Sequence, residues 1–340
     1  WQRDWLAAGE AERQLVSWRA QLGDEHPVLS LPADHPRHAV AAYRAASHAF
    51  EFDAALTRRL RVTAQAHGAT FFMALLAGFQ ALLHRYTGQQ DVRVGVPVAN
   101  RHRPETAGLI GFFVNTQVLR AAVQGRMSLA GLLAQTREAA LGAQAHQDLP
   151  FEQIVEALQL QRSLSHSPLF QVMFNHLRED AGVLRMLPGL QAREHRIADG
   201  AAQFELTLDI REHADGSAGA VITYAAELFE PATIERMAGH YRALLEALAT
   251  EPAQAVGDVQ WLDAVEQRQL DEWSAGEPQA VHAPPVHRLF EAQAQATPDA
   301  TALIDGDTRF SYAVLNERAN RLAHRLIRQG VSPDRIVAVA

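Results

Sequence analysis

Between Thr70 and Gly88 the chain carries a stretch, Phe71 to Leu83, that is apolar on nearly every side of a helix. A helix of that kind has no face to give to water, so it must lie inside a body with partners all round it. Gly78 and Gln80 interrupt it, and it falls short of the roughly 20 apolar residues that a bilayer span needs. No membrane segment is expected. The clearest strand follows almost at once. In Asp91-Val92-Arg93-Val94-Gly95-Val96-Pro97-Val98 the valines recur with period two, and Pro97 sets the strand's end at an edge or an opening.

Around this pair the pattern alternates between helix and strand. Leu15, Trp18 and Leu22 predict a helix over Trp5 to Leu22, and Pro27, Pro32 and Pro36 then break regular structure. Ala49 to Phe52 is a weak strand signal. Asp53 is placed to cap a helix through Leu56 and Leu60 that stops at Gly68, and Thr70 to cap the apolar one. Gly111 to Leu119 reads as a second strand. Ser128 opens a long helix toward Ala145, and Pro150 suits the first position of the next. Pro168 to Phe174 reads as a buried strand, followed by alternating strands through Phe204–Ile210 and Val221–Ala225 and a helix from Pro231. Composition shifts at Thr250, and Thr250–Pro285 reads as a linker with its own apolar anchors, Val259, Trp261, Leu262, Leu270 and Trp273. Beyond it come a hairpin about Asp305-Gly306-Asp307, a helix from Ala313 to Gln329 ended by Gly330, and a last strand from Arg335 to Ala340.

The length of 340 residues is a prior for roughly two domains. A net charge of −8 argues against a basic nucleic-acid surface. With no Cys there is no disulfide, thiolate zinc site or Cys nucleophile. The first residues, Trp1-Gln2-Arg3-Asp4-Trp5, show no secretory leader and no Met, and both ends read as cuts in a longer cytoplasmic chain.

The chemistry-bearing motifs are few. Nucleophile elbows, phosphate-binding loops and His-rich metal motifs are absent, and no two of the 16 His are adjacent. Gly111-Phe112-Phe113-Val114-Asn115-Thr116 puts an amide and a hydroxyl inside an apolar run; they either satisfy a sheet edge or face a cavity. Asn100-Arg101 after the valine strand either binds an anion or pins a loop. His146 and Asp148 stand before Pro150, where they could satisfy free N–H groups at a helix start or line the rim of a channel.

At these segments the chain resembles the condensation domain of non-ribosomal peptide synthetases. Trp1-Gln2-Arg3 through Trp18-Arg19-Ala20-Gln21-Leu22 looks like "WQR…YWRxQL", with Ser17 where Tyr is usual. Leu31 to Arg37 looks like "LPTDxPR", Ile110 to Thr116 like "IGFFVNT", His146 to Glu152 like "HQDxPFE", and Arg162 to Phe174 like "RDLSxxPLFQVMF" with Ser163 for Asp. Val286-His287-Arg288-Leu289-Phe290-Glu291 and Phe310 to Ala323 resemble the beginning of an adenylation domain.

The resemblance implies an α/β, chloramphenicol-acetyltransferase-like lobe (a mixed sheet with flanking helices), then a linker and a truncated α/β adenylation start. The implied domains are 1–249, the second condensation lobe with crossing elements; 250–285, the linker; and 286–340, the adenylation start. It implies amide-bond formation between donor and acceptor thioesters in a tunnel between two lobes. The family's catalytic HHxxxDG is not in this sequence. It is expected upstream in the missing first lobe, so the chain alone should be inactive and carry no catalytic residue. Gly111, Phe112, Val114, Asn115 and Thr116 become tunnel or positioning residues, Asn115 as a donor to the developing oxyanion. Asn100, Arg101, His146 and Asp148 become carrier-arm or rim contacts. No metal and no cofactor is expected on this piece. Phosphopantetheine belongs to upstream and downstream carrier domains, and ATP with Mg to the complete adenylation domain. The rival readings are an epimerisation domain of the same fold and a non-catalytic scaffold for carrier docking. A lone lobe should expose an apolar tunnel wall and self-associate.

Overall fold

The computed structural model describes residues 1–38, 43–159, 166–178, 200–275, 284–332 and 335–338. The chain divides into two compact units, Trp1–Ala264 and Val265–Ala340.

The first unit is built on a seven-stranded mixed sheet, β1 (Tyr43–Phe52), β2 (Asp91–Val98), β3 (Asn115–Ala122), β4 (Val172–Arg178), β5 (Ala201–Ala202), β6 (Leu206–Glu212) and β7 (Ala218–Ala225), in the order β3-β2-β4-β6-β7-β1-β5. β4 runs parallel to β2 and β6, and the other pairs are antiparallel. At the amino end α1 (Gln2–Trp5) joins α2 (Ala11–Leu22) through a π-helical turn in which Gly9 takes φ 108°. The helices of the core are α3 (Ala54–Ala66), α4 (Phe71–Thr87), α6 (Leu129–Ala145) and α8 (Pro231–Thr250); shorter ones are α5 (Pro104–Ala107) and α7 (Phe151–Ala157).

The helix starts follow from local chemistry. Asp53 accepts from the Leu56 N–H at 2.7 Å, Thr70 from Met73 at 3.3 Å and Ser128 from Gly131 at 3.0 Å. Gly88, with φ 69°, ends α4 in the left-handed conformation that a side chain disfavours. α4 is buried along almost its whole length, as its sequence requires. α8 lies against it because Gly78 leaves room: a Cβ there would stand 2.5 Å from Leu245 Cδ2. The fully buried Tyr241 hydroxyl donates to Leu75 O at 2.9 Å, and burial raises its pKa well above the usual phenol value.

Among the described residues no single helix is long and apolar enough to cross a membrane. The strand expected at Gly111–Leu119 begins only at Asn115, and the one expected at Pro168–Phe174 starts at Val172 and runs to Arg178. Pro150 stands one position before α7 instead of inside it. The described residues 335–338 form no strand, and Ile336 is fully exposed. The Arg162–Ser165 part of the resemblance lies outside the described residues.

Two buried charge clusters tie elements together. Arg93, 2% exposed, donates to both carboxylate oxygens of Asp91, to the carbonyls of Leu22 and Glu25, and lies 2.8 Å from His26 Nδ1. It thereby fastens β2 to the end of α2. His176 of β4 stands 2.8 Å from Glu212 of β6, whose other oxygen accepts from Arg61 of α3. Burial lowers the pKa of both His26 and His176, in His26 with help from Arg93 and in His176 against the pull of Glu212.

The unfolded chain, with imidazoles near 6.5, therefore takes up these protons before the folded one. Their contribution is complete above that value and is lost as pH falls below it through the lower folded values. Asp91 and Glu212 are held below the usual carboxylate range by their arginines against the opposing effect of burial, and add a further loss in more acid solution. Urea unfolding midpoints should fall between pH 7.5 and 5.5, and His176→Gln should flatten that slope; an unchanged slope would refute the assignment.

The second unit contains most of α9 (Ala264–Ser274), α10 (Val286–Ala296), the antiparallel hairpin β8 (Thr301–Asp305) and β9 (Thr308–Ser311), and α11 (Tyr312–Arg328). Gly306 turns the hairpin at φ 57°, and Ser311 caps α11 by accepting from Val314 N–H.

Candidate functional site

Three stretches meet at the start of the edge strand β3: the loop 99–114, the turn 146–150 that leads into α7, and α2. Asn100 takes φ 51°, a left-handed conformation that Asn tolerates better than most residues, and turns the chain back after β2. Arg101 then donates to the carbonyls of Thr106 at 2.6 Å, Leu109 at 2.7 Å and Gly111 at 3.1 Å, and its guanidinium lies 4.3 Å from the Phe113 ring centroid. The same loop leaves Gly111 exposed and shows Leu109, Ile110, Phe112 and Val114 to solvent, with Ile110 fully and Phe112 90% exposed.

Asn115 is the junction. Its Nδ2 donates to Gln147 O and Leu149 O, both at 2.9 Å, and its Oδ1 accepts from Thr116 N at 2.9 Å and Phe151 N at 3.1 Å. Every hydrogen-bonding capacity of the amide is engaged. In this structure both of its donor hydrogens go to carbonyls of the 147–151 turn, which the amide ties to β3. Thr116 lies in β3 opposite Pro97 of β2.

His146 and Asp148 do not serve the start of α7. His146 terminates α6: its ring Nδ1 lies 2.7 Å from Gly142 O, and its Nε2 3.4 Å from Arg13 Nη1. Asp148 pairs with His102 at 3.2 Å, linking the two loops. The N–H at the start of α7 goes to Asn115, because Asn115 lies nearer in space than either residue that precedes the helix in sequence.

Two contributors are not evident from the sequence motifs, Gln14 and His102. Gln14, fully buried on α2, donates to Glu10 at 2.8 Å and accepts from Leu149 N at 3.0 Å. Its spacing of four from Trp18, whose indole donates to His146 O at 3.0 Å, is the signal that could have found it. Glu10 is further bonded to Arg13, which with Gln14 lowers its pKa to about 2. Among the described residues no three His, Asp or Glu side chains converge as a metal centre requires. The arrangement joins two loops through side-chain bonds and displays an apolar edge.

Residues 1–271 match the family model of the condensation domain, and residues 290–340 that of the AMP-binding enzyme. The chain is 44% identical over 347 residues to a linear gramicidin synthase polypeptide of Brevibacillus parabrevis, a match that covers 100% of this chain and 7% of that protein. The chain therefore spans a small part of the length of such curated relatives. A four-domain nonribosomal peptide synthetase bound to AMP and glycine superposes with a TM-score of 0.71 at 23% identity, over 95% of this chain and 25% of that one. The X-domain from teicoplanin biosynthesis gives a TM-score of 0.69 at 27% identity, over 77% and 61%. The mixed sheet and its helices are thus a chloramphenicol-acetyltransferase-like lobe, and the chain belongs to the condensation-domain family of nonribosomal peptide synthetases, running on into the start of an AMP-binding enzyme domain.

Proposed function

We propose that residues 1–249 form one wall of the cleft in which the parent synthetase joins an acceptor amine to a donor thioester. Residues 250–285 connect this wall to an adenylation domain that begins at 286. The observation that supports this reading is the Asn115 junction, which makes one body of the segments resembling "IGFFVNT" and "HQDxPFE".

The reaction forms a C–N bond and breaks a C–S bond. The amine loses a proton, the donor arm's thiol leaves with one, and negative charge passes through the carbonyl oxygen. The sequence holds no HHxxxDG, so the proton acceptor is assigned to another part of the synthetase. This chain's part is orientation. Gly111 to Val114 supply the apolar edge, Asn115 and Thr116 anchor it, and Arg101, His102 and Asp148 keep the loops in register. Holding reactants in attack geometry can account for about 7–11 kcal/mol of a barrier. Upstream and downstream carrier domains bring both substrates as thioesters on phosphopantetheine arms. ATP with magnesium serves the complete adenylation domain.

The test compares the intact synthetase with this chain alone, each given loaded donor and acceptor carriers. Amide product is expected only from the intact protein. Product above background from the chain alone would overturn the assignment of the proton acceptor.

A further inference from the structure

The segment after α8 has the composition of a linker, yet its first part is sewn to the condensation unit. Pro252 O accepts from Ala130 N at 2.7 Å and Gln254 O from Leu129 N at 2.9 Å. Val256 N donates to Met127 O and Gly257 N to Gly125 O, both at 2.8 Å. Gly257 is needed for this approach, since a Cβ there would stand 2.9 Å from Gly125 O. Val256 and Val259 are buried.

The last turn of α4 adds a clasp. One nitrogen of Arg85 donates to the carbonyls of Val256 at 2.7 Å, Gly257 at 2.8 Å and Val259 at 3.3 Å. The same guanidinium lies 4.5 Å from the Trp261 ring centroid. Trp261 also packs edge-on against Tyr86 at 5.2 Å and at a tilt against His240 of α8 at 4.6 Å, while the Tyr86 hydroxyl lies 2.7 Å from His240 Nδ1. A cation stacked on an indole and bonded to three carbonyls is a specific fastening that a lysine cannot copy.

We propose that residues 251–262 are a strap of the condensation unit, closed by Arg85 and Trp261, and that these two are positioning residues for amide formation. The strap sets the point from which the chain departs toward the AMP-binding domain and the carrier downstream of it. It thereby sets that carrier's effective concentration at the cleft. This inference rests on the function proposed above.

The test uses the intact synthetase with Arg85→Met, Arg85→Lys, Trp261→Ala and Trp261→Phe. Hydrogen exchange at the Val256 and Gly257 amides should accelerate by about tenfold or more in Arg85→Met and Trp261→Ala, with β2 unchanged. Single-turnover condensation with the tethered carrier should fall about three- to tenfold, but less than about twofold when a separate carrier is supplied at saturation. Trp261→Phe should restore both readouts, and Arg85→Lys neither. Unaltered exchange would overturn the strap. A released strap with tethered and separate carriers equally affected, or with neither affected, would overturn the positioning role. If Asn115 variants also leave condensation intact, the function proposed above fails, while the exchange result still judges the strap.

Discussion

Asn115→Ala in the intact synthetase should lower single-turnover amide formation by about a hundredfold, the scale expected when a remote change misplaces reacting groups by about 1 Å. Adenylate formation should be unchanged. The substitution frees Gln147 O, Leu149 O and the Phe151 N–H at once, so the turn before α7 loses its attachment to β3. Asn115→Asp should do as much harm, because a carboxylate would face two carbonyl oxygens with no hydrogen to give. Because Asn115 acts through the turn, hydrogen exchange at Leu149 and Phe151 should rise together with the loss of rate. Condensation within about threefold of the parent, against that hundredfold expectation, would remove Asn115 from the site.

Gly95→Val should produce a large loss of stability in the first unit. A Cβ at Gly95 would fall 2.3, 2.5 and 2.6 Å from Cε2, Cζ and Cδ2 of Phe170. Phe170 has no room to retreat, since Phe151 and Phe204 pack against it at 5.5 and 5.3 Å. Overpacking of this kind costs about 1–3 kcal/mol or more, a large part of the roughly 5–15 kcal/mol that holds a domain folded. Gly95→Val should lower the urea midpoint of the first unit sharply, and Phe170→Leu added to it should recover part of the loss. Unfolding at the parent midpoint would show that the ring has space that the geometry denies.

Among the described residues, Leu109, Ile110, Phe112 and Val114 of one loop are left in water beside the site, with Trp1 of α1's start over Arg103 of the same loop. A loop can carry them because Arg101 satisfies three of its carbonyls without burying those side chains. The apolar run from Gly111 has the pattern of a strand, but its backbone pairs with β2 only from Asn115 onward.

What the sequence determined by itself was local or periodic. Asp53, Thr70 and Ser128 cap their helices because a side-chain oxygen reaches an N–H three residues on. The valines of β2 alternate because successive side chains face opposite sides of a sheet. The long motifs were enough to suggest the family. What only the tertiary structure decided was the partner of each polar group. Asn115 meets residues 32 to 36 positions away, and Arg85 a strap more than 170 positions away. An amide or a guanidinium has the same donors in any sequence context. Where those donors point depends on which backbone groups the folded chain leaves unpaired beside them, and that is a property of the packing.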